Sequence, residues 1–219
     1  TKEKETLLEY AENNELKPRS EYAFRGNVFS KNGTLLATSV PVYNIYFDAI
    51  APHDTIFDKN ISKLADSLSN MLRDKSKSKY LATLKDARKN NKRYVKIASK
   101  VSVGEYKRMQ TFPIFKEGKN RGGFIADKSY VRELPYGILA ARTIGYVREK
   151  ENDSVYVGLE GAFNDYLKGK NGLQLVRRIN GGFWMPIPDE NNVDPVNGDD
   201  IYTSIDIEIQ DVAENALKK

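Results

Sequence analysis

Cysteine is missing from this chain of 219 residues, and histidine occurs once, as His53. The first absence removes thiolate chemistry, disulfides and any cysteine-based zinc site. The second leaves a Ser-His-Asp triad only His53 to use, and that residue stands in Ala-Pro-His-Asp, a turn-like setting without partners. No apolar run approaches the roughly 18–20 residues that cross a bilayer. The opening Thr-Lys-Glu-Lys-Glu lacks the apolar stretch of an export signal. Walker loops, the dinucleotide glycine fingerprint and the metalloprotease helix are absent too, so no cofactor or metal is expected.

What is present suffices for a core. Hydrophobic residues make up 40%, with 13 Tyr and 9 Phe, a composition that excludes wholesale disorder. Lys and Arg number 35 against 30 Asp and Glu, a net charge of +5, and the excess is local. Eleven cations lie between Arg73 and Lys100, opposed only by Asp74 and Asp86. Arg73, Lys77, Lys79, Arg88 and Lys92 form a candidate partner surface on that stretch, for anionic lipid or an acidic protein face. The plain alternative is a solvated helix face. A basic nucleic-acid- or anionic-surface-binding module is the alternative function. Only Tyr80 and Tyr94 interleave with the cations, so no stacking platform is expected and nucleic acid is not the expected partner.

The hydrophobic period changes along the chain. Residues 3–16 read as a short, weakly amphipathic helix stopped near Pro18. Asn32-Gly33 between two β-prone runs predicts a hairpin with a type I′ turn, and Val42–Phe47 alternates as a strand. From Asp58 the apolar residues Ile61, Leu64, Ala65, Leu68, Met71 and Leu72 form a helical stripe capped by Asp58 or Asn60. A second helix over 79–90 turns Tyr80, Leu81, Leu84 and Ala87 inward. A strand at 93–98 and a short helix at 103–111 follow. Residues 52–112 thus form a mainly helical block within β-rich flanks. Beyond it, strands are expected at 122–126, 173–179 and 201–205, a helix turn running into a further strand at 138–147, and helical segments at 159–168 and 207–219. Asn180-Gly181-Gly182 reads as a turn and 186–197 as a linker or long loop.

Two patterns invite a catalytic reading. Ser76-Lys77-Ser78-Lys79 fits the S-x-x-K of serine acyl-transferases, but it lies in a polar stretch between helices, and no Lys-Thr-Gly or Lys-Ser-Gly exists in the chain. Glu160, in Gly158-Leu159-Glu160-Gly161, precedes a short helix, where a carboxylate favours the first-turn amides. Structural anchoring outweighs acid–base work at that position.

Three stretches carry a resemblance. Phe24-Arg25-Gly26-Asn27-Val28-Phe29-Ser30-Lys31-Asn32-Gly33-Thr34-Leu35-Leu36-Ala37 resembles the Arg-Gly-x-Ile-x-Asp-Arg-x-Gly-x-x-Leu-Ala opening of class B penicillin-binding proteins. Gly145-Tyr146-Val147, with Gly158-Leu159-Glu160-Gly161 and Leu167-Lys168-Gly169-Lys170-Asn171-Gly172, resembles their Gly-x-x-Gly…Gly-Leu-Glu…Leu-x-Gly-x-x-Gly signature. Gly198–Gln210, with Thr203-Ser204-Ile205-Asp206, is similar to the strand and helix that open their transpeptidase domain. Ser30-Lys31 replaces the usual Asp-Arg, and Ser204 the usual Thr.

The resemblance implies an α+β fold: an elongated β-rich pedestal with an inserted mainly helical head, truncated at the start of the transpeptidase domain. Residues 1–23 would be a juxtamembrane segment, 24–185 the pedestal or dimerisation domain with the head at approximately 52–134, and 186–219 a linker and the first strand and helix of the transpeptidase domain. It implies no catalytic residues here. It also implies a periplasmic location with an N-terminal membrane anchor, and a division-type parent rather than an elongation-type one. The implied partners are a SEDS-type glycosyltransferase, other cell-wall synthesis proteins, the parent's own transpeptidase domain and the membrane surface. Arg25, Gly26, Gly33, Gly158, Glu160, Gly169, Gly172 and Asp206 are the expected structural residues. The glycines suit turns and close approaches that a Cβ would block. Arg25 is a rigid fork of donors whose most attractive partner is Glu160.

Overall fold

The computed structural model describes residues 16–148, 154–179, 183–187 and 192–217. The expected helix over 3–16 falls outside them except at Leu16, which lies in a strand instead, and the turn at 180–182 falls outside them altogether. The described residues mix helices with largely antiparallel sheets, an α+β arrangement, and the chain divides into two compact units. One comprises residues 1–39 and 132–219, the other Val40–Val131. Among the described residues no helix is long and apolar enough to cross a membrane.

The first unit begins with β1 (Leu16–Glu21), an edge strand antiparallel to β8 (Gly172–Ile179), which pairs in turn with β9 (Phe183–Pro186). Pro18 sits within β1, where an edge position tolerates its missing donor. A second sheet runs β10 (Ile201–Tyr202), β2 (Val28–Phe29) and β3 (Leu35–Phe47). The β2–β3 hairpin forms, but its turn is not type I′. Gly33 takes φ +76° while Asn32 stays at negative φ. Gly33 N–H donates to Ser30 O at 3.0 Å and Ser30 N–H to Thr34 O at 2.8 Å. That pattern is a three-residue loop with glycine at the left-handed position. Ser30 Oγ accepts from Thr34 N–H at 2.9 Å, so the residue replacing the family aspartate closes the loop.

β10 joins β2 in parallel, with Ile201 opposite Val28, and backbone bonds continue to Thr203 and Ile205. Their apolar sides meet in a core of Val28, Leu36, Ala37, Ala140, Ile144 and Leu167. The short helices α5 (Ala141–Ile144), α6 (Gly158–Ala162) and α7 (Asn164–Leu167), with the β6 (Tyr146–Arg148) and β7 (Val155–Val157) hairpin, complete the unit. Asn164 at the junction shows why the single helix expected at 159–168 divides: it is buried, and its side chain accepts from Arg25. Part of the expected linker is tied down, since Val193 and Val196 pair with Leu173 and Lys170. α8 (Ile207–Leu217) follows, with Asp206 Oδ1 accepting from Glu208 N–H at 3.0 Å as its cap.

The second unit combines β3's C-terminal half, β4 (Val95–Ser102) and β5 (Phe124–Glu133) with α1 (Asp54–Leu72), α2 (Lys77–Lys89), α3 (Val103–Met109) and α4 (Gly118–Gly122). The α1 stripe packs as its period requires: Ile61, Leu64, Ala65 and Leu68 are buried against Ile45, Phe47, Ile97 and Val101. The helix starts earlier than Asp58, because His53 caps it by accepting Thr55 N–H. In α2, Tyr80, Leu84 and Ala87 are buried, and Tyr80 donates to Asp74 Oδ1 at 2.5 Å. Ser76, the serine of the S-x-x-K pattern, is the N-cap of α2, accepting from Lys79 N–H at 3.4 Å.

Candidate functional site

The chain segment just before β2 is extended and anchored by its backbone. Ala23 N–H donates to Asn171 Oδ1, Phe24 N–H to Asn197 Oδ1, and Gly26 N–H to Leu167 O, each at 2.9 Å. Asn27 N–H donates to Asp200 Oδ1 at 2.6 Å. Three segments far apart in sequence therefore meet along residues 23–27. This anchoring aims the Arg25 side chain at Glu160.

Arg25 Nε donates to Glu160 Oε2 at 2.8 Å, Nη1 to Asn164 Oδ1 at 2.7 Å and Nη2 to Glu160 O at 3.1 Å. Glu160 is 2% exposed, and its other oxygen serves a second arginine. Arg132, near the end of β5, donates to Oε1 through Nε at 2.8 Å and through Nη2 at 2.5 Å, and to Ser39 Oγ through Nη1 at 3.2 Å. Burial draws the Arg132 guanidinium below its ordinary value, and the Glu160 carboxylate opposes that pull. A carboxylate gripped at both oxygens by charged forks is fixed in place. What this arrangement does chemically is hold geometry. It joins residues 25, 132 and 160 through one buried charge.

The cluster floors a cleft of about 290 Å³ that Tyr146, Val147 and Lys168 also line. Lys168 is paired with Asp165 at 2.6 Å. Arg25 and Arg132 share the Glu160 carboxylate, and the charge of Asp200 also acts favourably on the Arg132 guanidinium. Among the described residues no group of acidic and histidine side chains is placed to hold a metal ion.

The structure brings Arg25 and Glu160 together and adds Arg132, which the sequence reading missed. The available signal was a single cation near the end of an alternating strand, too common to single out. Gly26 has no room for a side chain: a Cβ would meet Asp199 O at 2.0 Å. Gly158 opens α6 and Gly169 follows α7, both at positive φ, and Gly172 lies against Val193 and Pro195. Gly26→Ala should lower stability by about 1–3 kcal/mol, the usual cost of overpacking. Urea denaturation of the variant checks this, and an unchanged midpoint would refute the close approach.

The candidate cations of the second unit are used unevenly. Arg88 is half-buried, donates to Ala49 O at 2.6 Å and Pro52 O at 2.8 Å, pairs with Asp54, and lies over the Phe57 ring. It joins α2 to the start of α1. Lys77 pairs with Asp66 at 3.2 Å and Lys92 with Asp86 at 2.9 Å. Arg73 and Lys79 are exposed and enter no ion pair among the described residues.

Comparison with known proteins places this geometry. The chain is 28% identical, over 97% of its length, to a probable peptidoglycan D,D-transpeptidase, PenA, of Neisseria gonorrhoeae, of which it covers 34%. It is 24% identical, over 88% of its length, to the peptidoglycan D,D-transpeptidase MrdA of Acinetobacter baumannii, of which it covers 29%. The chain thus spans about a third of the length of the curated relatives it matches. Its fold resembles that of penicillin-binding protein 2X from Streptococcus thermophilus, with a TM-score of 0.68 at 21% identity, over 92% of this chain and 31% of that one. It also resembles a structure of the complex between penicillin-binding protein PBP2 and MreC from Helicobacter pylori, with a TM-score of 0.58 at 18% identity, over 93% of this chain and 39% of that one. The match to the penicillin-binding protein dimerisation domain covers residues 20–203, taking in Arg25, Arg132 and Glu160 alike, and the chain belongs to that family.

Proposed function

We propose that this chain is the non-catalytic pedestal of a periplasmic, membrane-anchored peptidoglycan D,D-transpeptidase. It spaces and orients the catalytic domain and presents surfaces to partner proteins, a SEDS-type glycosyltransferase foremost. The observation that carries the reading is the Arg25–Glu160–Arg132 cluster. It ties two motif segments of the family, at Arg25 and Glu160, to Arg132 near the end of β5 through a buried charge rather than presenting a nucleophile, which is the property of a rigid support. The adjoining segment leads directly into β10 and the Asp206-capped α8, where the resemblance puts the opening of the transpeptidase domain. The boundaries proposed are 24–185 for the pedestal, with the head at approximately 52–134, and 186–219 for the entry to the catalytic domain.

Partner binding has a precedent in the fold relative from Helicobacter pylori, which was solved in complex with MreC. Division- and elongation-type enzymes share the motifs used here, so the proposal is made for the class as a whole.

A fluorescent penicillin tests the reading. The longer parent should be labelled covalently and residues 1–219 should not. Labelling of the 219-residue chain would mean an activated serine within it and would overturn the proposal. An unlabelled parent would remove the transpeptidase assignment. Co-purification of the parent with its glycosyltransferase tests the partner, and its loss at physiological salt would argue against that partner.

A further inference from the structure

The two units differ sharply in charge. Val40–Val131 holds 19 Lys and Arg against 9 Asp and Glu, a net of +10, while the rest of the chain holds 16 against 21, a net of −5. The excess gathers at one corner. Arg73 ends α1, Lys79, Lys85 and Lys89 lie on the exposed side of α2, and Arg93 follows it. All five are exposed, and none enters an ion pair among the described residues.

These cations are not placed for helix stability. α2 has no acid in its first turn and instead carries Lys77 and Lys79 there, although a helix N-terminus favours negative charge. Lys79 occupies the third helical position after the Ser76 cap, where glutamate would complete a capping box. The same unit builds that box in full at α3, from Ser102 and Glu105. Arg73 caps α1 at φ +53°, a left-handed conformation that glycine adopts at lower cost. Two local preferences are thus broken, each time in favour of an exposed cation. Such departures point to a role outside the fold.

The exposed apolar residues narrow the partner. Tyr94 is the one large exposed hydrophobic side chain described in Val40–Val131. It is stacked on Tyr46 with ring centroids 4.0 Å apart and bonded to Asp127. The corner therefore has neither the apolar wedge that seats a helix in a bilayer nor free rings on which bases stack.

We propose that Arg73, Lys79, Lys85, Lys89 and Arg93 form a docking surface for an acidic polypeptide segment of a partner protein. This deepens the proposed function, on which it rests, by giving the chemistry of one partner. Its recognition is electrostatic, with fast association and steep salt dependence.

The test uses residues 1–219 and fluorescent poly-L-glutamate as the probe. Binding at about 50 mM salt should weaken about tenfold on going to about 300 mM. Reversing the corner (Arg73→Glu, Lys85→Glu, Lys89→Glu, Arg93→Glu) should weaken it by about tenfold or more. Reversing four exposed lysines elsewhere in the unit (Lys59, Lys63, Lys107 and Lys116, each to Glu) should change it less than about threefold. Equal losses from both variants would mean diffuse charge and would overturn the proposal. So would tighter binding to phosphatidylglycerol vesicles than to poly-L-glutamate, which would assign the corner to a lipid surface. Lys79→Glu alone separates docking from folding: its melting temperature should rise while its poly-L-glutamate binding falls. A lower melting temperature would remove the helix-end argument. Penicillin labelling plays no part in these readouts, so failure here and failure of the pedestal reading remain distinguishable.

Discussion

Glu160→Ala should lower the unfolding free energy by about 3–4 kcal/mol. Its carboxylate is 2% exposed and accepts from both Arg25 and Arg132, whose side chains are 20% and 21% exposed. Removing it leaves two guanidinium groups facing each other, partly desolvated and without their shared counter-charge. Breaking a buried pair from one side typically costs about 3–5 kcal/mol. The lower part of that range applies because each arginine keeps some contact with water, which screens the repulsion. Glu160→Gln should lose less, since the amide oxygen can still accept from one arginine. Urea denaturation of the three proteins measures the order, and wild-type stability in Glu160→Ala would sink the argument. A double-mutant cycle between Arg25→Ala and Glu160→Ala should give a coupling of about 1–3 kcal/mol. Its absence would show that the pair does not join the N- and C-terminal parts of the unit.

The second large effect is expected in the other unit. Phe115 is 1% exposed, and its ring centre lies 4.8 Å from that of Phe124 and 5.9 Å from that of Phe47. Phe115→Ala would open a cavity among residues of β3, β5 and the surrounding helices, and should cost about 3–5 kcal/mol. The preceding Ile114 is buried at φ +72°, a conformation that a β-branched residue rarely adopts. Packing around Ile114 and Phe115 holds that conformation. The variant should therefore also loosen the chain from Ile114 to Gly123. Hydrogen exchange should show faster exchange at Glu117 N–H, which donates to Ile114 O at 3.0 Å. Unchanged protection would mean that local hydrogen bonds, rather than the core, hold this turn.

The two effects belong to different physical regimes. The first unit depends at Glu160 on one charge that must be shared correctly. The second depends on an aromatic and aliphatic core, in which Phe47, Leu64, Leu68 and Leu84 are each fully buried. An apolar core can be recognised from its periodicity alone. A shared charge needs three partners whose spacing in sequence, 107 residues from Arg25 to Arg132 and 28 from Arg132 to Glu160, follows no local rule.

What the residues determined by themselves was local. Helical periodicity marked the buried side of α1 and α2, because side chains three and four apart share a helix face. Asn32-Gly33 marked a reversal, because glycine accepts positive φ without strain. Fork and carboxylate chemistry made Arg25 and Glu160 natural partners. Tertiary structure decided the rest. Type I′ geometry gave way to a three-residue loop, because Ser30 and Thr34 pair across it. His53, set apart in sequence only by being the sole histidine, became a helix cap once α1 began at Asp54. Arg88 proved to be an internal tie and Arg73 an exposed cation, though both belong to the same basic run. Composition assigns the charge to the run, and only packing settles which charges have a carbonyl or carboxylate within reach. Arg132 makes the point most clearly: its role arises where β5 ends beside Glu160, and that position exists only in the folded chain.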